Sequence, residues 1–181
     1  MTYSHDGHLW RRPSPRQPAI APSNAAGLFP TYVSCSAPLE LGDELWLYYT
    51  EANGAHPKTP FSEAVSQIRA AVWRKDGFAS LEVDSCKPGA VITPPLLFTG
   101  KRLLLNAETA EVGGVSVEVQ DADGSPLPGL AAQDCDILKG DFTAGEVTWH
   151  GQADLSHLAG KAIRLQIVFG NGAIYSFRFS E

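Results

Sequence analysis

Apolar and polar side chains alternate with a period of two over short stretches along most of this chain, and almost nowhere with the period of a helix. Val115-Ser-Val-Glu-Val119 and Lys161-Ala-Ile-Arg-Leu-Gln-Ile-Val168 place their apolar side chains on one face, as half-buried strands do. The same pattern predicts strands over residues 31–36, 44–50, 66–74, 78–83, 89–98, 101–106, 113–120 and 145–150, then two final strands. Turn signals separate them: Leu41-Gly-Asp43, Lys75-Asp-Gly77, Thr99-Gly100, Asp121-Ala-Asp-Gly124 and Gly170-Asn-Gly172. Asp154-Leu-Ser-His-Leu-Ala-Gly160 is the one helix-like stretch, with Asp154 positioned to cap and Gly160 to terminate it. The expectation is an all-β chain.

Two regions follow from the spacing. Residues 1–84 begin with a turn-rich stretch, Tyr3-Ser-His-Asp-Gly-His-Leu-Trp10, in which an Asp-Gly turn joins two short strands and Trp10 packs back under it. A proline-rich crossing to Pro22 follows, then sequential strands of the kind found in one blade of a β-propeller. Residues 85–181 hold at least six strands with turns every ten residues or so, which suits a jelly-roll-like antiparallel β-sandwich.

Composition narrows the function classes. The chain has 181 residues, 44% of them apolar and 19% charged, so it carries a real core. Net charge is -6, and the 14 basic residues form no stripe beyond Arg11, Arg12 and Arg16, which argues against nucleic acid and against a polybasic membrane patch. The longest apolar run, from Val91 to Phe98, contains Pro94 and Pro95 and falls well short of the about 20 residues of a membrane span. The first residues have neither a basic nor an apolar leader region, so no secretory signal is read there and the compartment stays open. Cys35, Cys86 and Cys135 are widely separated and read as buried reduced thiols.

Candidate chemistry is thin. Asp121/Asp123 and Asp134/Asp136 are spaced as turn carboxylates, and the first pair lacks the rest of a calcium loop. The five histidines show no zinc spacing, so no metal and no cofactor is expected. No nucleophile elbow and no phosphate-cradling glycine loop is present. Glu51 and His56, after the Leu-Tyr-Tyr strand, are weak catalytic candidates set against a solvated loop. Sugars stack on exposed aromatic rings; Trp46, Tyr48 and Trp73 alternate as core residues do. Trp149 with His150, at a strand end, is the best single ligand-binding pair, although packing in the core is the commoner fate of such a Trp.

The frames Asp43-Glu-Leu-Trp-Leu-Tyr-Tyr-Thr-Glu-Ala-Asn-Gly-Ala-His56 and Ile68-Arg-Ala-Ala-Val-Trp-Arg-Lys-Asp-Gly-Phe-Ala-Ser-Leu81 resemble the last blade of bacterial proteins related to five-bladed β-propeller glycoside hydrolases. Gly100-Lys-Arg-Leu-Leu-Leu-Asn106, Asp134-Cys-Asp136 and Ile174-Tyr-Ser-Phe-Arg-Phe179 look like the β-sandwich appended to that propeller, and Ser4-His-Asp-Gly-His-Leu-Trp10 is similar to the Ser-x-Asp-Gly-x-x-Trp hairpin of sialidase-type propellers. The resemblance implies a partial blade over residues 1–84 and a sandwich over 85–181. In that family the loop carrying Glu51 and His56 faces the propeller mouth. About one blade cannot encircle a substrate with opposed carboxylates, so the resemblance implies a noncatalytic, carbohydrate-associated accessory module. Two alternatives stand beside it: a glycoside hydrolase subunit whose funnel other chains complete, and a structural oligomerisation domain. The implied partners are a carbohydrate, a second copy of the chain or an upstream propeller.

Overall fold

The computed structural model describes residues 2–4, 6–12, 18–20, 31–34, 37–52, 66–85 and 87–181. Among them the regular elements are strands in antiparallel sheets and a single 3-10 turn, so the chain is all-β. No helix among the described residues is long and apolar enough to cross a membrane. The chain divides into two compact units, Met1–Trp73 and Arg74–Glu181. The expected boundary after residue 84 falls inside the second unit, because residues 81–83 pair with the last strand of the chain.

The first unit is built on β3 (Glu44–Ala52). Its first residues pair with β2 (Leu39–Leu41), its last with β1 (Thr31–Ser34), and β4 (Ser66–Arg74) also pairs with it. Gly42 closes the β2–β3 hairpin at φ +63°, a conformation open to glycine at little cost. The two faces of β3 differ. Leu45, Tyr49 and Glu51 are buried, whereas Trp46 and Tyr48 alternate onto the opposite, open face. Trp46 and Tyr48 are therefore not core residues as the alternation suggested: the alternation is present, but the other set of β3 side chains is covered. Trp73, half-buried, shares the parity of Gln67 and Arg69, which reach Glu51.

The amino-terminal turn forms as its sequence indicates. Tyr3 and Arg11 exchange backbone hydrogen bonds of 2.9 and 2.8 Å. The Asp6 carboxylate accepts from the His8 and Leu9 amides, both at 2.8 Å, and these bonds hold its carboxyl below the ordinary Asp range. The Trp10 indole donates to the Gly7 carbonyl at 3.1 Å, which fixes the ring under the turn while leaving it largely exposed.

The second unit is a five-stranded sheet in the order β5 (Leu81–Val83), β9 (Ile163–Ser180), β7 (Arg102–Asp121), β8 (Asp141–Glu146), with β6 (Gly89–Ile92) also on β9. Val115, Val117 and Val119 face Phe169, Ile167 and Leu165 across the β7–β9 ladder, and all six are buried. Phe98, Cys135, Val147, Trp149, Leu155 and Leu158 close over them from irregular chain and the 3-10 turn. Residues 126–138 run beside the second half of β7 in place of a regular strand: Val115 and Leu138 exchange two bonds of 2.9 Å, and Leu127 donates to the Val119 carbonyl at 2.9 Å.

Five elements depart from the sequence pattern. Gly170-Asn-Gly172 is not a hairpin turn, since β9 runs through it without reversal. Residues 110–113 of β7 lie opposite Asn171 alone, so the positive φ of Asn171 (43°) serves a bulge. Glycine is required there: a Cβ on Gly113 would lie 2.5 Å from the Asn171 carbonyl oxygen, and one on Gly172 would overlap that of Glu108. β6 pairs with β9 rather than across Thr99-Gly100 with β7, and β5 pairs with β9 rather than back across Lys75-Asp-Gly77. The strand expected over 145–150 is Asp141–Glu146 instead. The helix-like stretch is reduced to Ser156–Leu158, with Asp154 accepting from the Ser156 amide at 2.8 Å.

Candidate functional site

The β-bulge opens a hollow on the face of the second sheet opposite the core. Register places Glu82 (β5) opposite Ala173 (β9), Ala173 also opposite Glu108 (β7), and Glu108 opposite Asp141 (β8). Directly opposed residues share a face, so three carboxylates form one row across four strands with only a methyl group between Glu82 and Glu108. Ala107 and Ile174, one residue to either side, point into the core. The resulting cavity has a volume of about 460 Å3, and Glu82, Asp84, Glu108, Thr109, Asp141 and Asn171 supply its polar lining.

One edge of this hollow is built around Arg74. Its Nη1 donates to Asp141 Oδ1 at 2.6 Å, its Nη2 to the Phe142 carbonyl at 2.6 Å and the Ala107 carbonyl at 3.2 Å, and its Nε to Asn106 Oδ1. Asn106, itself buried, donates through Nδ2 to the Lys75 carbonyl at 2.7 Å. The guanidinium carbon also sits 4.8 Å from the centre of the Tyr175 ring, a cation–π distance. The Tyr175 hydroxyl donates to Glu108 Oε1 at 2.9 Å. Burial, then the bond to Glu108 and its charge, push the Tyr175 hydroxyl up to about 12, while Arg74 opposes the shift. Tyr175 is thus a fixed neutral donor and Glu108 a fixed acceptor. Glu82 is held similarly, accepting from the Ser80 hydroxyl at 2.6 Å.

Chemically, the hollow offers carboxylate acceptors in a row, a side-chain amide and a hydroxyl. Such a set receives hydrogen bonds from a ligand rich in hydroxyl groups. Among the described residues, no group of three or more His, Cys, Asp or Glu side chains is placed to hold a metal ion.

The residues singled out from sequence lie elsewhere. Trp149 is only 2% exposed, and its indole donates to the Val117 carbonyl at 2.9 Å inside the core. It offers no free ring face, so the expectation of Trp149 and His150 as a joint stacking site is corrected. The two neighbours point to opposite sides: His150 is exposed, at φ +50°, with Nε2 3.3 Å from Asp134 Oδ1. Next to it, bonds from the Thr148 hydroxyl (2.6 Å) and the Gly151 amide (2.7 Å) hold the Asp136 carboxyl below the usual range, consistent with a structural turn. Cys135 is a buried free thiol, pushed up by desolvation, whose sulfur accepts from the Val117 amide at 3.2 Å. Cys35 and Cys86 lie outside the described residues.

Glu51 sits neither in a solvated loop nor at an open mouth. It belongs to β3, is 1% exposed, forms an ion pair with Arg69 and accepts from Gln67 Nε2 at 2.9 Å. A carboxylate so enclosed has no open approach for a substrate proton. His56 lies outside the described residues.

Arg74, Glu82, Glu108 and Tyr175 were not legible as a group. Their meeting depends on pairings between strands far apart in sequence, and on a bulge that the glycines signal only as a turn. No family model, no curated protein and no solved structure matches this chain.

Proposed function

We propose that this chain is a noncatalytic carbohydrate-associated module, and that the hollow over the β7–β9 bulge is where the sugar is held. The observation that carries this reading is the cross-strand row of Glu82, Glu108 and Asp141, fixed around an open cavity of about 460 Å3 by Ser80, Tyr175 and Arg74. Carboxylates held as acceptors pair with vicinal hydroxyl groups, and holding them beforehand lowers the ordering cost of binding. The cavity is short and acidic. It suits one or two residues of a neutral glycan and disfavours uronate or sulfate.

In this reading the first unit is a partial propeller blade and the second a jelly-roll-like sandwich. The Ser4–Asp6–Gly7–Trp10 bonding supports the first part, because Ser4 and Asp6 satisfy the turn amides as the hairpin of that resemblance requires. The noncatalytic character rests on Glu51 being sealed with Arg69, and on Glu108 and Asp141 each being engaged by a neighbour.

Affinity electrophoresis across neutral and anionic polysaccharides tests the proposal. The expected result is retardation on a neutral polymer, lost in Glu108→Gln and retained in Trp149→Phe, with no release of reducing ends. No retardation on any polymer, or retardation unchanged in Glu108→Gln, removes the site. Glycoside turnover that disappears in Glu51→Gln would instead favour a hydrolase subunit.

A further inference from the structure

Both faces of the β3–β4 pair in the first unit carry apolar side chains. The covered face contains Leu45, Tyr49 and the Glu51–Arg69 ion pair, while the open face carries Trp46 and Tyr48 from β3 with Ile68 and Val72 from β4. Leu39 and Leu41 join them, since they pair with Trp46 and Glu44 and so share that face. Ile68 is 80% exposed, and Leu39, Leu41, Tyr48 and Val72 are exposed as well. Six large apolar side chains across three strands form a surface a folded monomer seldom leaves in water.

We propose that this face is an isologous interface between two copies of the chain. Two observations favour a second copy as its occupant. The first is area: the exposed parts of these six side chains come to roughly 500 Å2 per copy, so two facing copies bury about 1,000 Å2, the lower bound for a specific dimer. The second is charge. The six side chains are uncharged and Glu44 lies at the rim of the face, where its carboxylate accepts from the Trp46 indole at 2.9 Å, so a two-fold axis that crosses the face away from Glu44 keeps the two carboxylates apart. A two-fold axis through the face places the same side chains on both sides and closes the assembly at two. This inference stands independently of the sugar reading, which concerns the other unit.

Sedimentation velocity on the full chain, from low to high micromolar concentration, tests it. The expected result is a monomer–dimer equilibrium in which Ile68→Glu raises the dissociation constant by about tenfold or more. Leu41→Glu, on a neighbouring strand, acts in the same direction, while Leu97→Glu, an exposed apolar position on the second unit, leaves the equilibrium unchanged. Circular dichroism verifies that each variant is folded. A monomer at every concentration overturns the proposal: without binding of an apolar-surface dye it means that other residues of the chain cover the face, and with dye binding it means that the partner is a different molecule. Association equally strong in Ile68→Glu, equally weakened by Leu97→Glu, or continuing beyond two copies also overturns it.

Discussion

The two sheets apply the same period-two alternation with different results. In the second unit, Val115, Val117 and Val119 meet Phe169, Ile167 and Leu165, and the polar row of Glu82, Glu108 and Asp141 lies on the outer face. In the first, Leu45 and Tyr49 share the covered face with Glu51 and Arg69, and Trp46, Tyr48 and Ile68 lie on the open one. Alternation alone gives two candidate faces per strand. Which one becomes the core is decided by what the rest of the chain, or another chain, lays over it.

The largest effect should come from the core of the second unit. Trp149→Ala removes a buried indole and leaves the Val117 carbonyl without its side-chain donor, so a loss of about 3–5 kcal/mol is expected in denaturant unfolding. His150→Ala, one residue on and exposed, should stay within about 0.5 kcal/mol. Equal effects of the two would contradict the placement of Trp149.

Next in size is the ion pair of the first unit. Arg69→Met strands the Glu51 carboxylate in a covered site and should cost up to about 3 kcal/mol, moderated because the Arg69 side chain is 37% exposed. Glu51→Gln keeps the bond from Gln67 in reach and leaves no buried anion, so it should cost less. The reverse order, read from thermal unfolding of the two variants, would show that Glu51 is not confined as described.

The smallest effect concerns pH. Tyr175 has a raised folded-state value of about 12 against about 10 when unfolded, so the folded state favours its protonated form. Its contribution is fully present below about pH 10 and is lost as pH rises from about 10 to 12. Tyr175→Phe should therefore flatten the alkaline limb of stability against pH, and an unchanged limb would rule out Tyr175 as its source.

How much of this was legible beforehand depends on the range of the interaction. β4 lies where its alternation places it, and the Gly42 turn follows from local chemistry, because neighbouring residues settle both. Trp149 was misassigned as a ligand-binding residue, although it shares one parity with Val147 and both are buried. Gly170-Asn-Gly172 was not legible, since residues with positive φ serve a hairpin and a bulge equally well, and the looped-out residues 110–113 on a distant strand decide between them. The carboxylate row inherits the same difficulty. Glu82 and Glu108 become neighbours only once β5 and β7 take opposite edges of β9.

Amide chemical shifts followed during titration with neutral oligosaccharides give the most direct test of the sugar-binding hollow. The expected result is saturable perturbation centred on Glu82, Glu108 and residues 171–173, abolished in Glu108→Gln. Perturbation centred instead on His150 and Gly151, or none at all with any oligosaccharide, would contradict it.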